Sequence, residues 1–193
     1  MVSEARLVSV ASGLAPVIPG WFVVNARDAA WVSNPQFGGV CIFESDEFVL
    51  RGRPDLDEYV KPAAGFVLRV VLPGRPAGYY HAESVQEDFL VLRGECLLLI
   101  EGEERRLRAW DYVHCPPMTA HTFVCVGEGP CIILAAGNRR ADLQRVYPRS
   151  ELALRHGAGT ERDSESSEEA YGEARAEWRV ERPIGWDELP WSY

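Results

Sequence analysis

The sequence predicts an all-β fold, either a barrel or a sandwich, and three observations support that prediction. Short apolar segments recur at regular intervals between residues 65 and 137. Turn dipeptides such as Pro73-Gly74 and Arg93-Gly94 separate most of these segments. The pattern then stops after Gly137. Several short strands with this punctuation are typical of an all-β domain, because glycine and proline mark the turns between strands.

The chain divides into three predicted parts. Residues 1–64 form an N-terminal extension with added strands, residues 65–137 form the central β domain, and residues 138–193 form a helical, acidic tail. The strand predictions are Trp21–Asn25, Gly39–Glu44, Phe66–Leu72, Tyr79–Glu83, Asp88–Leu92, Glu95–Glu101, Glu104–Trp110, Tyr112–Cys115, His121–Val126 and Cys131–Ala136. Residues 1–20 are expected to be extended and irregular, and residues 51–64 to form a loop.

The tail carries helix signals and tryptophans. Ser150 is a candidate N-cap for a short helix that ends before Gly157. Residues 157–177 are acidic and are expected to form a mobile loop, from which a second helix starts at Ser166 or Ser167 and runs toward Trp178. Tryptophans in a short tail usually have a docking site, because exposure forfeits their large apolar area. The tail tryptophans, expected to fold back on the domain or onto a second subunit, are Trp178, Trp186 and Trp191.

Composition restricts the possible functions. The 193 residues are 47% hydrophobic, enough for a sizeable core without disulfides. A net charge of −9 and a pI near 5.0 argue against nonspecific binding to nucleic acid or to anionic membranes. The sequence shows no signal peptide and no apolar run of the roughly 18 residues that span a bilayer. Five cysteines without a Cys-x-x-Cys motif favour buried, reduced thiols and a cytoplasmic location.

Four candidate metal ligands lie in the central β domain: His81, Glu83, Glu87 and His121. His81 and Glu83 are two residues apart, so both side chains can point to one face of a strand. Glu87 follows after a possible bend, and His121 comes from a distant strand after a Pro-Pro turn. Two imidazoles and two carboxylates suit Zn, Mn, Fe, Ni or Co better than Cu(I), which prefers sulfur.

These residues occur in two segments that resemble the cupin motifs and together cover about a third of the chain. The first cupin motif has a glycine, His-x-His, a glutamate and a final glycine, matched here by Gly74, His81-x-Glu83, Glu87 and Gly94. Gly74 lies one residue further away than is usual. The second motif keeps its proline and histidine, Pro116 and His121, but has Trp110 and Met118 at glycine positions and Cys125 at an asparagine position.

The resemblance implies a double-stranded β-helix barrel, with N-terminal strands and a short helical tail added to it, and a divalent transition metal held inside. It also implies a homodimer formed through the N-terminal strands. Glu83 replaces the second motif histidine, so the implied ligand set has two His and two Glu, where three His and one Glu are more usual. Glu83 could instead serve as a base or proton donor. The side chain at Met118 requires a turn that tolerates it.

Strand parity adds three pocket candidates. Tyr79, Phe89 and Phe123 share parity with His81, Glu87 and His121, so they can face the same cavity or simply pack in the core. His114 matches no ligand position and is interpreted as structural, and His156 as a solvated tail residue.

Three functions follow from this interpretation. The first is a metal-dependent enzyme, of oxygenase or isomerase type, that acts on a small organic molecule. The second is a noncatalytic cupin that binds or senses a small, sugar-like ligand. The third is an interaction protein whose acidic tail, residues 157–193, recruits a partner. Because fold does not fix function, the site has to decide among them.

Overall fold

Thirteen strands and two short α-helices make up the described part of the chain, in a computed structural model that describes residues 1–16, 20–43, 63–138, 140 and 142–190. The strands are β1 (Leu7–Val10), β2 (Gly13–Pro16), β3 (Val32–Asn34), β4 (Gly38–Ile42), β5 (Ala64–Val71), β6 (Ala82–Glu83), β7 (Glu87–Arg93), β8 (Glu95–Ile100), β9 (Glu103–Arg108), β10 (Tyr112–Cys115), β11 (His121–Cys125), β12 (Cys131–Asn138) and β13 (Arg145–Val146). The helices are α1 (Glu151–Arg155) and α2 (Ser167–Tyr171), with 3-10 segments at Gly172–Glu177 and Trp186–Glu188.

Most strands belong to two antiparallel sheets. The large sheet has the order β10-β7-β12-β5-β4-β3, and the small sheet has the order β11-β8-β9. β1 pairs with β2, and β6 pairs with β13, in two further two-stranded units. The all-β prediction is confirmed. β3 and β4 extend the large sheet beside β5, so the N-terminal part does add strands, as predicted.

The main core lies between the inner faces of the two sheets. In β7, Phe89 and Val91 are buried while Leu90 and Leu92 are less so, because alternate side chains of a strand point to opposite faces. The core consists of Val71, Ala77, Phe89, Val91, Cys96, Leu98, Val113, Cys115, Phe123, Cys125, Cys131 and Ile133. All five cysteines are buried, as expected.

A second core covers the outer face of the large sheet. Trp31 and Trp186 meet edge to face there, with ring centroids 5.3 Å apart, against Val70 and Ile132 of the sheet. Trp178 stacks on Phe37 at 6.5 Å. Trp186 and Trp178 therefore fold back on their own chain, while Trp191 lies outside the described residues. No helix in the described ranges is long and apolar enough to cross a lipid bilayer.

The N-terminal region differs from its prediction. Trp21–Asn25 is not a strand: Trp21 makes one isolated bridge with Glu4, and Val23 is 81% exposed. The run is β-prone but, among the described residues, it joins no sheet, and β propensity acts only where side chains pack on a pleated surface. The described strands of this region are the hairpin β1–β2, where irregular chain was expected, the short β3, and β4.

Local hydrogen bonds and backbone angles make some strand and helix ends differ from their predicted positions. β9 ends at Arg108 because the Asp111 carboxylate accepts a hydrogen bond from the Arg108 N–H, and Trp110 follows with a φ of 75°. Ser150 caps α1 as predicted, accepting from the Ala153 N–H. The second helix starts after the Ser166 cap, but it gives way to a 3-10 segment at Gly172, whose φ is 47°.

The acidic segment expected as a mobile loop packs against the β domain at several points. Ala158 is fully buried, and its carbonyl accepts from the Tyr80 N–H. Ser164 bridges Tyr147. The predicted loop over residues 51–64 lies outside the described residues except at its last two positions. The division into three parts and the homodimer remain predictions.

Candidate metal centre

His81 and His121 lie directly opposite each other on neighbouring segments. Their backbones form both hydrogen bonds of an antiparallel bridge, at 3.1 Å and 2.8 Å, and their ring centroids are 5.2 Å apart. Two histidines that are 40 positions apart in the sequence thus share one small region, as the motif spacing predicts.

Local hydrogen bonds orient both rings in the same way. His81 Nδ1 lies 2.7 Å from the Tyr79 carbonyl oxygen, and His121 Nδ1 lies 2.9 Å from that of Thr119. A carbonyl oxygen can only accept, so Nδ1 carries the proton in each ring and Nε2 keeps its lone pair. This is the arrangement by which neighbouring groups usually orient metal-binding histidines.

Glu87 completes a cluster of three donors. It is the first residue of β7, and its Oε2 lies 3.7 Å from His121 Nε2. One potential ligand atom from each of His81, Glu87 and His121 lies within 4.8 Å of the others. Ligands on one ion at about 2.0–2.2 Å can be at most roughly 4.4 Å apart, so small side-chain rotations close the cluster. The donor set therefore fits a divalent transition metal.

Burial disfavours the charged form of both imidazoles. Desolvation, reinforced by repulsion from the charged form of His121 and from Arg145, lowers the pKa of His81 well below its usual value. Desolvation also lowers the pKa of His121, although the Thr119 carbonyl opposes that change. Neutral imidazole is the form that binds a metal.

Glu83 is buried next to the cluster but is engaged elsewhere. It lies directly opposite Arg145 in the β6–β13 pair, and its Oε1 accepts from Arg145 Nε at 2.6 Å. The same oxygen contacts a second guanidinium nitrogen of Arg145 and lies 3.7 Å from His81 Nε2. The structure thus brings Glu83 beside the donors but pairs its charge with an arginine.

A cavity of about 380 Å³ opens beside the three donors. Phe89 and Phe123 line it, as strand parity predicted, and their rings are 4.8 Å apart. Tyr79 packs against the Tyr171 ring at 4.9 Å, and it is Tyr171 that reaches the cavity wall. Small residues of β5 and β12, Gly65 and Gly137 among them, leave room between the aromatic and charged groups.

Further polar residues of the wall that were not predicted from the sequence include Arg69, Arg145, Tyr147 and Tyr171. Arg69 had a detectable signal, since a charged residue in an apolar strand is uncommon. The other three belong to the tail, whose sequence carries no periodic pattern that would place them at the site.

The remaining histidines lie apart from the cavity. His114 is half exposed on β10 and bonds to Asp88 at 2.7 Å, and His156 bonds to Glu104 at 2.8 Å. The structural role of His114 and the solvated position of His156 remain predictions.

Two motif positions, Gly94 and Met118, have a positive φ. Gly94 has a φ of 79°, and a Cβ there would lie 2.7 Å from the Pro130 carbonyl oxygen. Met118 replaces a motif glycine and has a φ of 65°, so this turn accepts a side chain in the left-handed region. The Met118 N–H donates to the Glu83 carbonyl at 2.7 Å, which ties the second motif to the first.

Comparisons with known proteins agree with this architecture. A family model described as a cupin domain matches residues 67–137. Residues 67–137 thus form a cupin domain, and its barrel is the double-stranded β-helix expected from the motifs. A comparison with curated protein sequences found no significant match.

Solved structures with a similar barrel include the following three proteins. A candidate sugar phosphate isomerase from Acidithiobacillus ferrooxidans is 26% identical, with a TM-score of 0.41, over 44% of this chain and 55% of that one. A sugar phosphate isomerase from Silicibacter pomeroyi is 19% identical, with a TM-score of 0.43, over 55% and 63%. KdgF from Halomonas sp. is 22% identical, with a TM-score of 0.49, over 64% and 98%. The alignment thus spans less than two thirds of the first two proteins, and none of these likenesses carries a conclusion about activity.

Proposed function

We propose that this protein is a metal-dependent enzyme that acts on a small organic molecule, with His81, Glu87 and His121 as the metal ligands. The observation that carries the proposal is the convergence of these three donors at the wall of one cavity. Three protein ligands leave coordination positions open, which is the usual arrangement of a catalytic site. A structural site would have a closed set of four.

The donor set is compatible with Fe, Mn, Co, Ni or Zn. A bound ion would supply Lewis-acid or redox chemistry at its open positions, and oxygenase or isomerase reactions are the two classes we propose. Access is possible because His81 and Glu87 each keep 17% of their side-chain surface exposed, whereas His121 keeps 3%.

Other side chains of the cavity have further roles in the proposed reaction. Phe89 and Phe123 form an apolar wall that excludes water from one side of the cavity. Burial raises the pKa of Tyr147 to about 12, so its hydroxyl stays protonated and can donate a hydrogen bond to a substrate oxygen. Glu83 is held by Arg145 beside His81, where it can accept or return a proton.

Metal analysis of the purified protein tests this proposal. Protein prepared without chelators, or reconstituted with Mn, Fe, Co, Ni or Zn, is expected to hold about one ion per chain. His121→Ala and Glu87→Ala are expected to lose it, because each removes a ligand. His114→Ala is the matched control and should keep the ion, since His114 bonds to Asp88 away from the cavity.

Absence of stoichiometric metal in every reconstituted sample would refute the proposal. A protein that binds a small molecule without turnover, and equally well after metal removal, would instead be the noncatalytic sensor.

A further inference from the structure

We infer that the cavity binds an organic anion, and that the Arg69 guanidinium binds its carboxylate or phosphate group. The inference deepens the proposed function, on which it rests for the location of the site. Its evidence is a separate set of residues: Arg69 and the charges around it.

Arg69 projects into the cavity from the middle of the large sheet. Side chains of β5 alternate between faces, and Gly65, Val67 and Arg69 share the face that lines the cavity. Arg69 lines the same cavity as His81, His121 and Tyr171, so it lies at the wall beside the candidate metal centre.

The Arg69 guanidinium has more N–H donors than its one described hydrogen bond uses. One Arg69 nitrogen donates to the Ala77 carbonyl at 2.9 Å. Within the described ranges, no carboxylate lies within ion-pair distance of Arg69, and the nearby Glu83 is paired with Arg145. An arginine has five N–H donors in a planar fork that matches a carboxylate or phosphate. A half-buried guanidinium without an anionic partner is costly, and a bound oxyanion would remove that cost.

The charge balance of the cavity also favours an anionic ligand. Its described walls carry three arginines, Arg69, Arg145 and Arg175, against two carboxylates, Glu83 and Glu87. The excess of these charges is positive even before a divalent ion is added. The whole chain has a net charge of −9. A positive cavity in an acidic protein concentrates small anions, because its walls focus the field.

The size of the cavity indicates a small ligand. A volume of about 380 Å³ is near the lower end of the roughly 300–1,000 Å³ usual for small-molecule sites. An anion of metabolite size can reach Arg69 with its charged end while the rest of the molecule lies near His81 and Phe89.

Calorimetric titration with two anions and their neutral analogues tests the inference. Succinate is compared with succinamide, and glycerol 3-phosphate with glycerol, on the full chain with and without metal. At least one anion is expected to bind at millimolar concentration or below, and neither neutral analogue should. The anion that binds identifies the group as carboxylate or phosphate.

Substitutions of Arg69 localise the binding. Arg69→Met is expected to weaken anion binding at least tenfold in the metal-free protein, and Arg69→Lys to weaken it less, since lysine keeps the charge but not the fork. Lysine also serves as the informative variant if the methionine variant does not fold. Arg108→Met, which removes an exposed charge on β9, is the matched control and should bind as the wild type does.

Two results would overturn the inference: failure of both anions to bind, or unchanged binding in both Arg69 variants. Either result leaves the metal analysis untouched. Conversely, loss of the proposed metal site would not affect anion binding by metal-free protein, so the two failures can be told apart.

Discussion

Glu83 is the residue at which the motif and the surrounding structure suggest different roles. Its position in the first motif is that of a metal-binding histidine, and its oxygen is 3.7 Å from His81 Nε2. That oxygen also accepts from Arg145 at 2.6 Å. An ion pair inside the protein is strong when its geometry is good, so withdrawing Glu83 from Arg145 would leave a buried charge unpaired.

We therefore expect Glu83→Gln and Glu87→Gln to differ in metal affinity. Glu83→Gln should weaken binding by about tenfold, at the lower end of the roughly 10–100-fold usual for a group that only orients a ligand. Glu87→Gln should weaken it far more, because it removes the one carboxylate of the cluster. Competition with a chelator measures both. Equal, large losses would instead make Glu83 a fourth ligand, as the sequence predicted.

At this scale the sequence predicted His81, Glu87 and His121 to lie together, and they do. It could not predict Arg145 as the partner of Glu83, because the two residues are 62 positions apart and no motif links them. Arg69 was visible as a charge in an apolar strand, but its role depends on which face of β5 meets the cavity.

Among the structural elements, the turn into β4 shows how closely the large sheet packs. Gly38 has a φ of 76°, and a Cβ there would lie 2.1 Å from the Val70 carbonyl oxygen of β5. The turn can thus approach its neighbour only without a side chain. Gly102, in the β8–β9 turn, has nearly the same φ of 79° but has open space around it.

The pair Gly38→Ala and Gly102→Ala separates backbone strain from steric clash. Gly102→Ala should lower the free energy of unfolding by about 1–2 kcal/mol, the cost of a left-handed residue. Gly38→Ala should lower it by roughly 3–5 kcal/mol, because displacement of β5 adds to that cost. Urea denaturation measures both. Similar losses for the two variants would show that the close approach of Gly38 to β5 adds nothing to the cost of the substitution.

The strands of the β domain were predictable because their evidence is local. Tyr112–Cys115 was predicted with its observed bounds, since a turn precedes it and two prolines follow it. The prediction of a strand at Trp21–Asn25 was wrong. This run makes only an isolated bridge within the described residues, and an apolar run becomes a strand only beside a pairing partner.

In the molecule as a whole, the C-terminal part packs against both faces of the large sheet. On the cavity side it supplies Arg145, Tyr147 and Tyr171. On the outer side it places Trp186, 9% exposed, against the fully buried Trp31. The tail is thus an integral part of the fold and of the candidate site.

Removal of the Trp186 side chain tests its contribution to stability. Trp186→Ala should lower the free energy of unfolding by about 3–5 kcal/mol, as is usual for a buried tryptophan. Trp110→Ala is the matched control: Trp110 is 76% exposed, and the change should stay within about 0.5 kcal/mol. Metal content should not change in either variant. An unchanged melting temperature for Trp186→Ala would mean that the tail does not stabilise the sheet.

The sequence by itself predicted the strands of the β domain and a candidate site that contains His81, Glu83, Glu87 and His121. Side-chain alternation, turn residues and motif spacing are short-range properties that can be recognised without coordinates. Only the tertiary structure decided that Arg145 pairs with Glu83, that Arg69 faces the cavity and that the tail covers both faces of the large sheet. Those contacts join distant parts of the chain, and they depend on where each segment returns and which face it presents.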